Sequence, residues 1–149
     1  SKMIDMKKLC IKKGELVWTI FLDIYTINDD GNLIDAAALA ALAALKSAVL
    51  PKLKDDEVVY GELTKTKLPL NIIPITSTIV KIGDKLMVDP CLEEEEAMSA
   101  RLSVAVSEKG NIHAMQLGEF GGLSPDECDE AIGMAKKTTE VFSPKFGQC

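Results

Sequence analysis

Arginine is almost missing from this 149-residue chain: of its 17 basic residues, only Arg101 is an arginine. The guanidinium fork is the usual grip on phosphates and guanine edges, and a formal net charge of −6 repels a polyanion unless lysines cluster. A domain that binds nucleic acid unaided is therefore disfavoured. Aromatic residues make up only 5% of the chain, and no platform of aromatics interleaved with arginine is visible for stacking bases. The single histidine, His113, sits in a predicted strand between Ile112 and Ala114. A zinc site or a nucleophilic triad needs partners that no spacing identifies, so a structural or exposed role is favoured.

The cysteines, Cys10, Cys91, Cys128 and Cys149, form no C-x-x-C pair. A domain of this size builds a core without disulfides, which fits a reducing, intracellular setting with four ordinary thiols. The longest apolar stretch, Leu33 to Leu45, is interrupted by Asp35 and is mostly alanine. It falls short of the roughly 20 apolar residues that span a bilayer, so no membrane partner is expected. The start, Ser1-Lys2-Met3-Ile4, has neither an apolar signal region nor an initiating Met, and reads as a cut inside a longer protein.

What the chain does contain suits one folded domain: 47% hydrophobic and 27% charged residues. From Glu15 to Asn28 a β-branched and aromatic run alternates at period two and predicts a long strand. The turn chemistry of Asn28-Asp29-Asp30-Gly31-Asn32 precedes an Ala-rich helix over Leu33 to Val49, closed by Pro51. Residues 52 to 71 have little periodicity and suggest a loop or an irregular pair of short strands. Ile72 to Ile82 with Leu86 to Asp89, and Leu102 to Ser107 with Ile112 to Leu117, read as two hairpins. Ser124-Pro125-Asp126-Glu127 offers an N-cap, a first-turn proline and acidic residues, opening a helix to about Phe142. The order β-α-ββ-ββ-α implies an α+β architecture, helices packed on a mostly antiparallel or mixed sheet.

Candidate chemistry is sparse. Asp89 with Glu93-Glu94-Glu95-Glu96 could collect a hard cation such as magnesium. Four consecutive carboxylates cannot converge on one ion, however, and a solvated loop is favoured over a metal site. Gly118-Glu119-Phe120-Gly121-Gly122 lacks both Walker and dinucleotide spacing, so it reads as a turn and no cofactor is expected.

Two segments carry a resemblance. Residues 23 to 37, ending in Asp30-Gly31-Asn32-Leu33-Ile34-Asp35-Ala36-Ala37, and residues 88 to 95, Val88-Asp89-Pro90-Cys91-Leu92-Glu93-Glu94-Glu95, resemble the RNase PH-like subunits of the exosome. Residues 74 to 83 and 114 to 119 fit the same pattern. The similarity is greatest to the non-catalytic RNase PH-like subunit of the archaeal exosome, with eukaryotic ring subunits of that branch nearly as similar. It implies RNase PH-like β-α units related to the ribosomal-protein domain 2 fold, with the first part of the fold missing. Residues 1–51 would then end the first β-α unit, 52–71 connect, and 72–149 form the C-terminal unit.

Active members of that family carry a pair of aspartates along this stretch, and aligning Val88-Asp89 through Leu102-Ser103 places Glu95 at the first and Arg101 at the second. A guanidinium stays protonated and can serve neither as acid or base nor as a metal ligand, so these are degenerate positions and no catalytic residue is assigned. Pairing of Arg101 with the nearby Glu93 to Glu96 run is favoured over binding an anion. The resemblance implies a non-catalytic structural subunit of a hetero-oligomeric, hexameric ring in the cytoplasm, and in the nucleus as well in a eukaryote. Its partners would be a catalytic RNase PH-like exosome subunit, degrading RNA 3′-to-5′ by phosphorolysis, and RNA passing through the assembled ring. The alternatives are a phosphorolytic exoribonuclease in its own right and an unrelated small binding domain.

Overall fold

The computed structural model describes residues 2–147. In chain order its elements are β1 (Cys10–Lys12), β2 (Leu16–Val17), α1 (Leu33–Ser47), β3 (Val49–Lys54), β4 (Glu57–Lys67), β5 (Pro74–Ile82), β6 (Lys85–Val88), α2 (Leu92–Ala97), β7 (Ala100–Ser107), β8 (Ile112–Gly118) and α3 (Pro125–Gly147).

The two hairpins read from alternation join into one four-stranded sheet, in the order β6-β5-β7-β8, with every neighbour antiparallel. One face is apolar at period two. Ile79, Leu102, Val104 and Val106 meet Ala131 and Ala135 of α3, all at most 3% exposed, with Leu86, Leu123 and Met134 packed around them. The small side chains of α3 let it lie close on the sheet, and burial of this face is the main apolar contribution of the region. α3 begins with a capping box: Glu127 N–H donates to Ser124 Oγ at 3.3 Å, and Ser124 N–H donates to Glu127 Oε2 at 2.7 Å. It runs beyond the expected end at Phe142, with Pro144 in its last turn. A second cluster gathers Leu9, Leu45 of α1 and Leu68, flanked by Met3, Trp18, Ile20 and Leu50.

Three expectations are corrected. Only Leu16–Val17 of the predicted strand Glu15 to Asn28 pairs, with Cys10 and Lys12 of β1. Trp18 and Ile20 do turn toward the second cluster, but Phe21, Tyr25 and Ile27 are 84%, 85% and 100% exposed. Alternation marks a chain fit to be a strand; a ladder also needs a neighbour, and no strand among the described residues lies beside 18–28. Next, α1 ends at Ser47, and residues 49–67 form a two-stranded antiparallel ribbon, β3 with β4. Of the two alternatives for 52–71, the paired strands are therefore the observed one. Their turn uses Asp55 and Asp56, both left-handed at φ 52° and 66°, which suits the twist of a tight hairpin. Finally, Glu93 to Glu96 lie in the short helix α2, not a solvated loop, because Cys91 and Glu94 close a capping box in which Cys91 N–H donates to Glu94 Oε2 at 2.9 Å.

Candidate functional site

The residue at the helix entrance organises an extensively connected polar group among the described residues. Asn32 is left-handed at φ 51° and only 8% exposed. Its backbone N–H donates to Glu95 Oε1 of α2 at 3.0 Å, and its side-chain amide donates to Asp35 Oδ2 at 3.2 Å and Asp89 Oδ1 at 3.0 Å. Asp35, in the first turn of α1, accepts the backbone N–H of Thr78 at 2.8 Å and the Thr78 hydroxyl at 2.8 Å. β6 pairs with β5 only as far as Ile79, so Asp35 supplies the acceptor that the next β6 residue would have offered Thr78. Burial pushes the Asp35 carboxyl above its ordinary range, against the bonds from Thr78 and Asn32 that favour its ionised form. Gly31 must be glycine: its φ is +93°, and a Cβ there would stand 2.3 Å from the Pro90 carbonyl oxygen. The Asp29 to Asp35 segment thus latches α1 onto the β5–β6–α2 corner.

Glu95 and Arg101, which the resemblance places at degenerate catalytic positions, face different partners. Glu95 serves the latch. Arg101 is the second residue of β7, where the register sets it opposite Gly118 of β8, and a Cβ on Gly118 would lie 3.0 Å from its guanidinium. It pairs with Glu119 at 3.6 Å. The expected pairing with Glu93 to Glu96 is therefore corrected: closeness in sequence favoured that run, but the strand ladder carries the guanidinium toward β8 and the residue after it. Arg101 lines a cavity of about 370 Å³ with Ile34 and Ala38 of α1, Ser103 of β7 and Gln116 of β8. Glu95 is not among its walls. A guanidinium in this wall can hold an anion and cannot exchange a proton near neutral pH. Among the described residues, no three His, Cys, Asp or Glu side chains are grouped to hold a metal ion. His113 lies in β8, with Nε2 buried and without a hydrogen-bond partner.

Sequence reading missed the latch. Its local half was legible, because Asn32 and Asp35 stand three apart at a helix start; the Thr78 and Asp89 ends lie 43 and 57 residues away.

Two family models match in tandem. "3′ exoribonuclease family, domain 1" covers residues 4–51 and "3′ exoribonuclease family, domain 2" covers residues 73–138. The chain belongs to the RNase PH family. Among curated RNase PH-family relatives, the exosome complex component Rrp42 of Methanopyrus kandleri is 44% identical over 142 residues, 94% of this chain and 53% of that protein. A solved archaeal exosome core is similar at TM-score 0.86 and 34% identity, over 99% of this chain and 58% of that one. The Archaeoglobus fulgidus exosome with RNA bound to the active site gives TM-score 0.84 and 35% identity, over 97% of this chain and 55% of that one. The chain spans about half the length of the curated relatives it matches. The α+β, RNase PH-like fold class expected from the sequence is the observed one.

Proposed function

We propose that this RNase PH-family chain serves in a non-catalytic subunit of an exosome ring, which supports 3′-to-5′ RNA degradation by a catalytic RNase PH-like partner and shapes its RNA channel. Exosome membership rests on the similarity to Rrp42 components and exosome structures. The observation that carries the non-catalytic part is the fate of the two positions where active members hold aspartates. Glu95 is engaged by the Asn32 N–H at the start of α1, and Arg101 is a permanently charged group beside Glu119. Phosphorolysis needs groups that move a proton, position phosphate or hold a metal at the reacting atoms. Arg101 can do only the second. In this reading residues 1–51 close a first β-α unit, 52–71 connect, and 72–149 form the C-terminal unit. The free thiols of Cys10, Cys91 and Cys128 suit a reducing cytoplasm.

The test gives the intact subunit inorganic phosphate and an oligo-RNA, alone and after mixing with the other RNase PH-family subunit from the same genome. Nucleoside diphosphates are expected only from the mixture, eluting as a larger assembly. Release by the subunit alone overturns the reading in favour of an exoribonuclease in its own right.

A further inference from the structure

Three side chains connect the latch to the Arg101 cavity. The Thr78 hydroxyl donates to Asp35 Oδ1 at 2.8 Å and lies 2.9 Å from Ser103 Oγ, its cross-strand neighbour. Ser103 follows Arg101 by two residues, on the same face of β7, and lines the same cavity of about 370 Å³. The chain Asp35–Thr78–Ser103 therefore runs from a half-buried carboxyl in the first turn of α1 to the wall beside the guanidinium.

Each hydroxyl has one proton, and that fixes the direction of the chain. An ionised Asp35 can only accept, so Thr78 gives its proton to the bond with Oδ1 and must accept from Ser103. Ser103 Oγ is then left with lone pairs for the cavity. Oδ2 of Asp35 already accepts from the Thr78 N–H and the Asn32 amide, so a proton taken up by this carboxyl resides on Oδ1. Oδ1 then donates to Thr78, Thr78 donates to Ser103, and the Ser103 proton is released to an acceptor in the cavity. The bonds reverse without any heavy atom moving.

The charges around Asp35 bear on when that happens. Asp89 and Glu95 reach it through Asn32, and Asp29 precedes it in the same turn. Lys137 of α3 shares with Asp35 and Asp89 the wall of a separate cavity of about 590 Å³. β5 carries no charge from Pro74 to Val80, and on the Ser103 side the charged groups are Arg101 and Glu119. Burial, with the charge of Asp89 adding to it, holds the Asp35 carboxyl above its ordinary range despite the bonds from Thr78 and Asn32.

We propose that the ionisation of Asp35 is relayed through Thr78 to the Ser103 hydroxyl, so that a proton on Asp35 and a small oxyanion held by Arg101 strengthen one another's binding. With Asp35 ionised, the anion meets a lone pair on Ser103; with Asp35 protonated, it meets a donor. The relay is built from residues of this chain alone and does not depend on the ring-subunit reading.

The experiment follows the Asp35 carboxyl by NMR in the intact protein, titrating pH with and without inorganic sulfate, whose charge does not change across the range. Sulfate beside Arg101 also raises the Asp35 midpoint directly through its charge, and Ser103→Ala keeps that effect while cutting the chain. The expected sulfate-induced rise is larger in wild type than in Ser103→Ala by about half a pH unit or more, a linkage of roughly threefold in affinity. Arg101→Gln should abolish the rise. Asp35→Asn, whose amide donates to Thr78 and holds the reversed direction at every pH, should bind sulfate at neutral pH at least about threefold more tightly than wild type, a gain that added Ser103→Ala removes. The Ser103→Ala comparison stands whether or not Asp35→Asn folds. Equal rises in wild type and Ser103→Ala overturn the relay. Failure of sulfate to bind at all, as when the rest of the chain fills the cavity, overturns it as well.

Discussion

Replacing Asp35 with alanine should destabilise the protein by about 2 kcal/mol, and the structure fixes where that comes from. Thr78 is 1% exposed, and its backbone N–H has Asp35 as acceptor at the point where β6 stops. Without the carboxylate that donor is buried unpaired, a loss of roughly 1–3 kcal/mol. The Thr78 hydroxyl keeps Ser103 at 2.9 Å and the Asn32 amide keeps Asp89, so neither adds a full orphan. Release of the carboxylate's own burial cost offsets part of the loss. Asp35→Asn should lose only about 1 kcal/mol, because its carbonyl can still accept from Thr78 N–H while its amide donates to the Thr78 hydroxyl. The pH dependence gives an independent sign. A carboxyl held above its unfolded value binds protons more tightly when folded, so wild type is favoured below the ordinary aspartate pKa and loses stability as pH rises through the elevated one. Asp35→Asn should lack that decline. Urea unfolding of the intact subunit across pH 3 to 7 reads both effects. An alanine variant within about 0.5 kcal/mol of wild type, or an asparagine variant with the same pH profile as wild type, would refute the role assigned to the latch.

Gly31→Ala should cost more than about 2 kcal/mol, since it combines a left-handed φ with a clash at the Pro90 carbonyl, and thermal unfolding against Gly14→Ala, which has open space, separates clash from conformation. The Lys81–Glu127 pair, 2.6 Å apart, bears on pH in the opposite sense to Asp35: the bond from Lys81 holds the Glu127 carboxyl below its usual range, so its contribution is present above the ordinary glutamate pKa and fades as pH falls through the depressed one. Glu127→Gln should flatten that acid limb of the unfolding curve, and an unchanged limb would contradict it.

What was legible in the sequence follows from where the partners lie. The hairpins at 72–89 and 102–117 were readable because both members of each ladder are adjacent in sequence and turn at Gly83 or Gly110. Alternation over 15–28 was equally clear but names no neighbour, and among the described residues only its start, Leu16–Val17, finds one, in β1. The β3–β4 ribbon was obscured by an Asp55-Asp56 turn in place of the usual glycine, and α2 by a cysteine as its cap. At the site, residue types were sufficient to judge that Arg101 cannot do acid-base work. Its partner was not readable, because strand register, and not distance along the chain, decides that Gly118 and Glu119 lie beside it. The motif at 29 to 35 was conspicuous, yet its physical purpose depends on Thr78, Asp89 and Glu95, which only the fold brings near.

The central claim is that this subunit supports RNA phosphorolysis without supplying a catalytic carboxylate, and Glu95→Gln addresses it most directly. Glutamine keeps an oxygen to accept the Asn32 N–H, so the latch persists while the charge and proton-transfer capacity are gone. The decisive measurement is the rate of nucleoside diphosphate release from oligo-RNA by the assembled ring carrying Glu95→Gln in this subunit. The account predicts a rate within about twofold of wild type; a loss of roughly a hundredfold or more, with assembly intact, would contradict it.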